Sequence, residues 1–290
     1  MRTWSVCLGL ALLATGACAE KAETEAPVAA PTFKPNKARV ALGSPLELTY
    51  RFAVSKDLGP LDRNYRVFVH FLDSDRELMW TDDHLPPKPT SEWKAGEVVE
   101  YQRTMFVPNY PYLGQATVVM GLYDPEGDTR VPLSGEDNGQ RGYRVGSLEL
   151  LPQSENVFLH FTEGWHRPES SPDNMAVEWW WTEKVATISL RSPKKDAIFY
   201  LDFDGRPQLV PGQTVTVKIG NTTLDTFPVT KEQTIRSVPI TAAQFGNAEQ
   251  VDITLDVNKT FVPAQIPDSE SQDPRELGIR VYHAFLEPKG

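Results

Sequence analysis

From residue 46 the chain alternates with a period of two. Leu46, Leu48, Tyr50, Phe52 and Val54 are apolar, while Glu47, Thr49, Arg51 and Ala53 lie between them. That spacing puts one face of a strand on a core and leaves the other towards water. Tyr65 to Leu72 is apolar on both faces and predicts a central strand; Val98 to Val107, Ala116 to Tyr123 and Tyr143 to Leu150 complete a first set. Turn residues separate them: Gly59-Pro60, Pro86-Pro87 and Asp124-Pro125-Glu126-Gly127. A second set follows. Ala186, Ile188 and Leu190 alternate with polar neighbours, as do Val251, Ile253, Leu255 and Val257. Val215, Val217 and Ile219 lead into Gly220-Asn221, a two-residue hairpin signal, and on into Thr222 to Val229. Leu277 to Leu286 predicts the last strand, and Thr241 to Phe245 the only helical turn. Short strands without an intervening helical period predict an all-β chain of two antiparallel β-sandwiches, at 37–152 and 153–290. Ala19 to Asn36, rich in Ala, Pro, Glu and Lys, predicts a flexible linker before them.

The N-terminus changes the picture from soluble domain to exported protein. Arg2, an apolar run from Val6 to Leu13 and small residues before Cys18 make a signal peptide over 1–17. The run is too short to span a bilayer, which needs roughly 20 apolar residues. Ala14-Thr15-Gly16-Ala17-Cys18 resembles a bacterial lipobox, although Thr15 stands where that family prefers Leu. The resemblance implies cleavage before Cys18 and lipidation of its thiol. Ala17-Cys18-Ala19 also reads as an A-x-A site for an ordinary signal peptidase, which would leave a soluble periplasmic or secreted protein. With a lipid at Cys18, the resemblance further implies the outer membrane of a Gram-negative cell, because Ala19 stands where that family's inner-membrane proteins carry Asp.

The chain has two cysteines, Cys7 and Cys18, so neither cut leaves a disulfide. Its formal charge of −10 and its lack of a local Lys/Arg cluster argue against nucleic acid or anionic lipid as a partner. Lys194-Lys195, the only adjacent basic pair, reads as a turn between strands. Any membrane attachment therefore rests on the lipid at Cys18.

Catalytic and metal-binding patterns are absent from the sequence. None of the five histidines (His70, His84, His160, His166, His283) pairs with another at a zinc-ligand spacing, and no serine stands in a G-x-S-x-G elbow. Asp202-Phe203-Asp204-Gly205 has the start of a calcium loop, but Gln213 occupies the position that needs glutamate. We expect a strand-end turn there, and no cofactor, metal or catalytic residue. The tryptophans are more unusual: Trp165 and the run Trp179-Trp180-Trp181 account for four of seven. Three in a row on one strand must face alternate sides, so they cannot all share one core. An outward indole suits the apolar face of a sugar ring, and an equally direct alternative is packing on the other domain. Trp165, Trp179, Trp180 and Trp181 are thus the candidate ligand-binding residues.

Two longer segments carry family resemblances. The stretch FVHFLDSDRELMWTDDHLPPKPTSEWKAGEVVEY, followed by YLGQATVVMGLYDPEGDTRVPL, resembles an immunoglobulin-like domain of bacterial cell-surface and glycan-assembly proteins. EGWHRPE, WWWTEKVATISL, VKIGNTTLDTF and DPRELGIRVYHAFLEP resemble a jelly-roll-like accessory domain that recurs beside membrane glycosyltransferases and sugar-modifying enzymes. The resemblances imply an Ig-like then a jelly-roll-like sandwich. Neither brings a catalytic set. Arg275 and Glu276 suit an ion pair at the entry to the last strand, and Trp165 a cap on the second sandwich. The expected function is a non-catalytic envelope lipoprotein that binds or scaffolds, with a glycan or an envelope protein as partner. A structural role in a transport, secretion or pilus complex is the alternative, and an enzyme using Asp202 and Asp204 between the domains is a third.

Overall fold

The computed structural model describes residues 25–127, 129–153, 159–172, 177–267 and 269–289. Cys18 and the signal segment lie outside these residues. The chain is all-β, as its patterning predicts. The first unit contains β1 (Ala29–Pro35), β2 (Arg39–Ala41), β3 (Pro45–Val54), β4 (Arg66–Leu72), β5 (Leu78–Thr81), β6 (Val98–Phe106), β7 (Gly114–Tyr123), β8 (Arg130–Val131) and β9 (Tyr143–Leu151). One sheet has the order β1-β3-β6; the other runs β2-β9-β7-β4-β5, with β8 on β7. β2 pairs parallel to β9, so the first strand is split between the sheets, and the strand order is that of an immunoglobulin-like sandwich.

The linker expectation needs correction over 29–35. These residues form β1, in register with β3 from Ala29↔Val54 to Pro35↔Leu48. Ala29, Pro31 and Phe33 are buried beneath its inner face, while Thr32 and Lys34 are exposed. β1 is an edge strand, where a proline removes no ladder bond that the sheet needs.

The second unit contains β10 (Leu159–Phe161), β11 (Glu169–Ser170), β12 (Glu178–Trp181), β13 (Val185–Arg191), β14 (Ala197–Asp204), β15 (Thr214–Ile219), β16 (Thr222–Pro228), β17 (Thr234–Ile240), α1 (Ala242–Phe245), β18 (Gln250–Val257) and β19 (Arg280–Pro288). Its sheets have the orders β10-β13-β18-β15-β16 and β11-β12-β19-β14-β17. Counting from β12, the eight strands follow jelly-roll order, changing sheet at each step except the β15–β16 hairpin. The core lies between them, with Ile188, Phe199, Leu201, Val217, Ile253, Leu255 and Val281 all shielded from solvent. Gly220 has φ 54°, as the first central residue of a II′ hairpin turn requires. Gly164 is obligatory: at φ 75°, a Cβ there would lie 1.8 Å from the Val185 carbonyl oxygen.

Inside the first sandwich a polar group is buried with its partners in place. Asp82 accepts from the Tyr50 hydroxyl at 2.8 Å and from Arg103 Nη2 at 2.8 Å and Nε at 3.0 Å. His84 lies alongside, its Nδ1 2.6 Å from the Asp82 carbonyl oxygen and its Nε2 2.7 Å from the Tyr101 hydroxyl. Burial, and then the Arg103 charge, push the His84 pKa down to about 4. The ring is therefore neutral, with Nδ1–H donating and Nε2 accepting. Replacing Asp82 with Ala leaves Tyr50 and Arg103 without their acceptor. We expect a loss of about 2–3 kcal/mol in urea unfolding, discounted because Arg103 is part-exposed, with little change in the denaturant slope.

Candidate functional site

Alternation along β14 sorts its residues between two environments. Ala197, Phe199, Leu201 and Phe203 enter the jelly-roll core, so Tyr200, Asp202 and Asp204 point out of the sheet. On neighbouring β19, Val281 and Leu286 are core residues, while Arg280 and Tyr282 share the outer face with Asp204. A bulge opposite Asp202 and Phe203 brings His283 into register with Asp202. This outer face carries charges and aromatic rings, and it is covered at one end. Tyr200 is 1% exposed although it lies outside its own core. Phe106 from the first domain packs on it (ring centroids 6.5 Å apart) and on His283 (4.3 Å). Glu287 accepts from Tyr200 and pairs with Lys37 of the first domain.

The other end of this face holds much of the tryptophan run. Trp180 pairs with Val281 and Trp181 with Arg280, so Trp179 and Trp181 lie on the outer side and Trp180 on the inner. The Arg280 guanidinium stands 4.9 Å from the Trp179 ring, 5.7 Å from Trp181 and 5.4 Å from Tyr282. Asp204 holds it through a two-point pair and also accepts from the Tyr282 hydroxyl at 3.0 Å. Such stacking of Arg on aromatic faces orders the cluster. Trp181 is 7% exposed, with Phe261 against its edge and Arg206 over its ring. Trp179 is half-buried and donates Nε1–H to Glu169 at 3.3 Å. Trp165 stacks on Phe161 at 4.2 Å and donates to the Thr187 carbonyl at 2.8 Å, so it packs at the edge of the sandwich. Arg275 pairs with Glu169 and Asp273, both at 2.7 Å, whereas Glu276 accepts from Thr260.

Of the four tryptophans singled out from the sequence, Trp180 alone lines a groove between the domains. Its ring meets Phe161 edge-on at 5.2 Å. The groove, about 750 Å³, is walled by Trp180, Phe161, Phe106 and Tyr282, with Asn109, Asp202, Gln233 and His283 among its polar groups. A more polar depression of about 810 Å³ shares Phe106, Asp202 and Gln233 and reaches Asp82 and Arg103. Asp202 is the common point. It is 8% exposed; one carboxyl oxygen accepts from Gln233 at 2.8 Å and the other, Oδ1, is buried without a partner among the described residues. Burial raises its pKa to about 6; Asp204 adds to the rise, and the Gln233 hydrogen bond opposes it. Burial likewise lowers the His283 pKa, leaving a neutral ring at the junction. Among the described residues no group of three or more His, Cys, Asp or Glu side chains is arranged to hold a metal ion.

No protein-family model matches the chain, and no curated protein matches it in sequence. Solved structures give remote similarities. The complex of TmCBM61 with β-1,4-galactotriose is 9% identical with a TM-score of 0.27, covering 47% of this chain and 90% of that one. Trypsin-activated alpha-2-macroglobulin from Escherichia coli is 8% identical with a TM-score of 0.28, covering 90% of this chain and 15% of that one. The Pseudomonas fluorescens alkylpurine DNA glycosylase AlkC, bound to DNA containing an abasic site analog, is 15% identical with a TM-score of 0.26. It covers 42% of this chain, which spans 31% of that protein's length. Scores at this level carry no functional inference.

Asp202 makes a stability test of the site. Its folded pKa of about 6 lies above the ordinary 3.8, so its contribution is fully present below 3.8 and is lost as pH rises through about 6. We expect Asp202→Asn to gain on the native protein in denaturation midpoint between pH 4 and pH 7 and to run parallel to it at higher pH. A constant difference across that range would show that the carboxyl is not the strained group.

Proposed function

We propose that the protein is an exported envelope lipoprotein, tethered through a lipid at Cys18, whose junction groove binds a glycan without transforming it. One observation carries the reading. The groove joins aromatic walls from both domains (Trp180, Tyr282 and Phe106) to a buried carboxyl with an unused oxygen. A saccharide presents both features that such a site recognises: apolar C–H faces that stack on rings, and hydroxyls that satisfy carboxylate and amide groups. The volume admits a short oligosaccharide, since small-ligand sites run from about 300 to 1,000 Å³. Trp165, Trp179 and Trp181 support the site from behind, through ring stacking and the Arg280–Asp204 pair.

A second reading keeps the groove and makes it catalytic. The observation that favours it is Asp202 itself, since a carboxyl tuned to about 6 is suited to general-acid work near neutral pH. The two readings part in one experiment, in which the full chain is incubated with an oligosaccharide panel, scored for binding by affinity electrophoresis and for cleavage by mass spectrometry. Binding without products is the expected result. Trp180→Ala should weaken it by about tenfold or more while leaving the thermal midpoint within a few degrees. Products that vanish in Asp202→Asn would establish the catalytic reading, and a Trp180→Ala protein that binds every glycan as before would overturn the groove as the site.

A further inference from the structure

The sequence offers no local run of basic residues, yet the fold gathers one from two distant segments. A second cleft at the domain junction, about 670 Å³, is lined by Lys37 and Arg39 of the first domain, by Arg191 at the end of β13, and by Lys194 and Lys195 of the turn that follows. One carboxylate, Glu287, lines it as well, and it is already paired with Lys37. Apart from Lys194, which also pairs with Glu249 at 3.5 Å, the remaining cations are weakly committed. Arg39 meets Glu149 on a well-exposed surface, a pairing of small worth. Lys194 holds the turn by donating to the Asn247 and Ala248 carbonyls at 2.7 and 2.6 Å, from a backbone with φ 55°. The Arg191 and Lys195 side chains have no ion-pair or hydrogen-bond partner among the described residues.

We propose that this cleft binds an acidic sugar, one bearing carboxylate or phosphate groups. Converging cations repel one another, and no internal carboxylate offsets Arg191 and Lys195, so an external anion is the group that completes the cleft. The fold supplies more than charge. Ser44 and Ser192 bring hydroxyls to the same walls, and Phe285 a half-buried ring. These features fit a pyranose body with an acidic substituent, and the space exceeds what a lone inorganic anion fills. The net charge of −10 selects for a short ligand. Long polyanions and anionic bilayers feel the whole negative surface within the roughly 10 Å Debye length at 0.1 M salt, whereas a small anion inside the cleft feels mainly its walls.

The site is separate from the Trp180 groove and does not depend on its function. The test uses the full chain with uronate- and phosphate-bearing oligosaccharides, each beside its methyl-esterified or dephosphorylated counterpart, with inorganic phosphate, single-stranded DNA and phosphatidylglycerol vesicles as further probes. Arg191→Ser/Lys195→Ser removes the two uncommitted cations without breaking any side-chain hydrogen bond or ion pair among the described residues, and Arg191→Glu/Lys195→Glu reverses them. At least one acidic oligosaccharide should bind about tenfold more tightly than its neutral counterpart. That preference should weaken with added salt, disappear in the serine variant, invert in the glutamate variant and survive Trp180→Ala. Equal binding of charged and neutral sugars, or binding unaffected in both variants, overturns the proposal. So does binding confined to inorganic phosphate, DNA or vesicles. Loss of binding in Trp180→Ala as well would place the acidic sugar in the groove instead.

Discussion

Tyr200 stands on the outward face of β14, where a jelly roll ordinarily meets water, yet only 1% of it is exposed. Its burial depends on the first domain. Phe106 covers the ring and packs on His283, while Glu287, bonded to Tyr200, pairs with Lys37 across the junction. This small contact governs what lies beside it. On one side it sets Phe106 opposite Trp180 and closes the aromatic groove; on the other it brings Lys37 and Arg39 to the basic turn at Lys194. Neither recess exists on a single sandwich.

The parts of the fold legible in the sequence are those where water imposes a period. β13, β18 and the β15–β16 hairpin each keep a polar face in solvent, so alternation identifies them, and Gly220 identifies the turn. β14 is harder to read. Its sequence AIFYLDFD is apolar on both faces around Tyr200 because the outer face is covered by another domain. β17 includes Pro239, and its first half exposes Thr234 and Arg236 on the face where Val238 and Ile240 are buried, so it lacks a clear period. β1 reads as a linker because half its surface is solvated and its buried half is mostly Ala and Pro; the decisive fact is pairing with β3, a contact some 20 residues away in the chain.

The motif residues behind the family resemblances turn out to hold the sandwiches together. Thr90 is buried, accepts from the Tyr65 amide and donates to the Arg63 carbonyl, while Trp93 donates to Lys88 and packs on Phe52. His84 and Asp82 form the buried polar cluster of the first core. In the second domain Gly164 permits a backbone approach that no side chain would allow, and Trp165 covers the sandwich edge. The candidate site was legible only in part. Trp180 belongs to it, but Phe106, Tyr282, His283 and Gln233 come from segments whose convergence no local pattern records. Asp202 carried a usable signal, a carboxylate amid the apolar run of β14. Trp181, by contrast, shows that an outward-facing ring is not an exposed one, since Arg206 and Arg280 lie over it.

Both recesses require the two domains to be held in this arrangement. Small-angle X-ray scattering of the full-length protein, compared with Phe106→Asp, measures that directly. The expected result is a single narrow distance distribution for the native protein, matching the packed pair of sandwiches, and a broader, longer one for the variant with both domains still folded. A native protein as extended as the variant would contradict it, because the groove and the basic cleft would then have no fixed second wall.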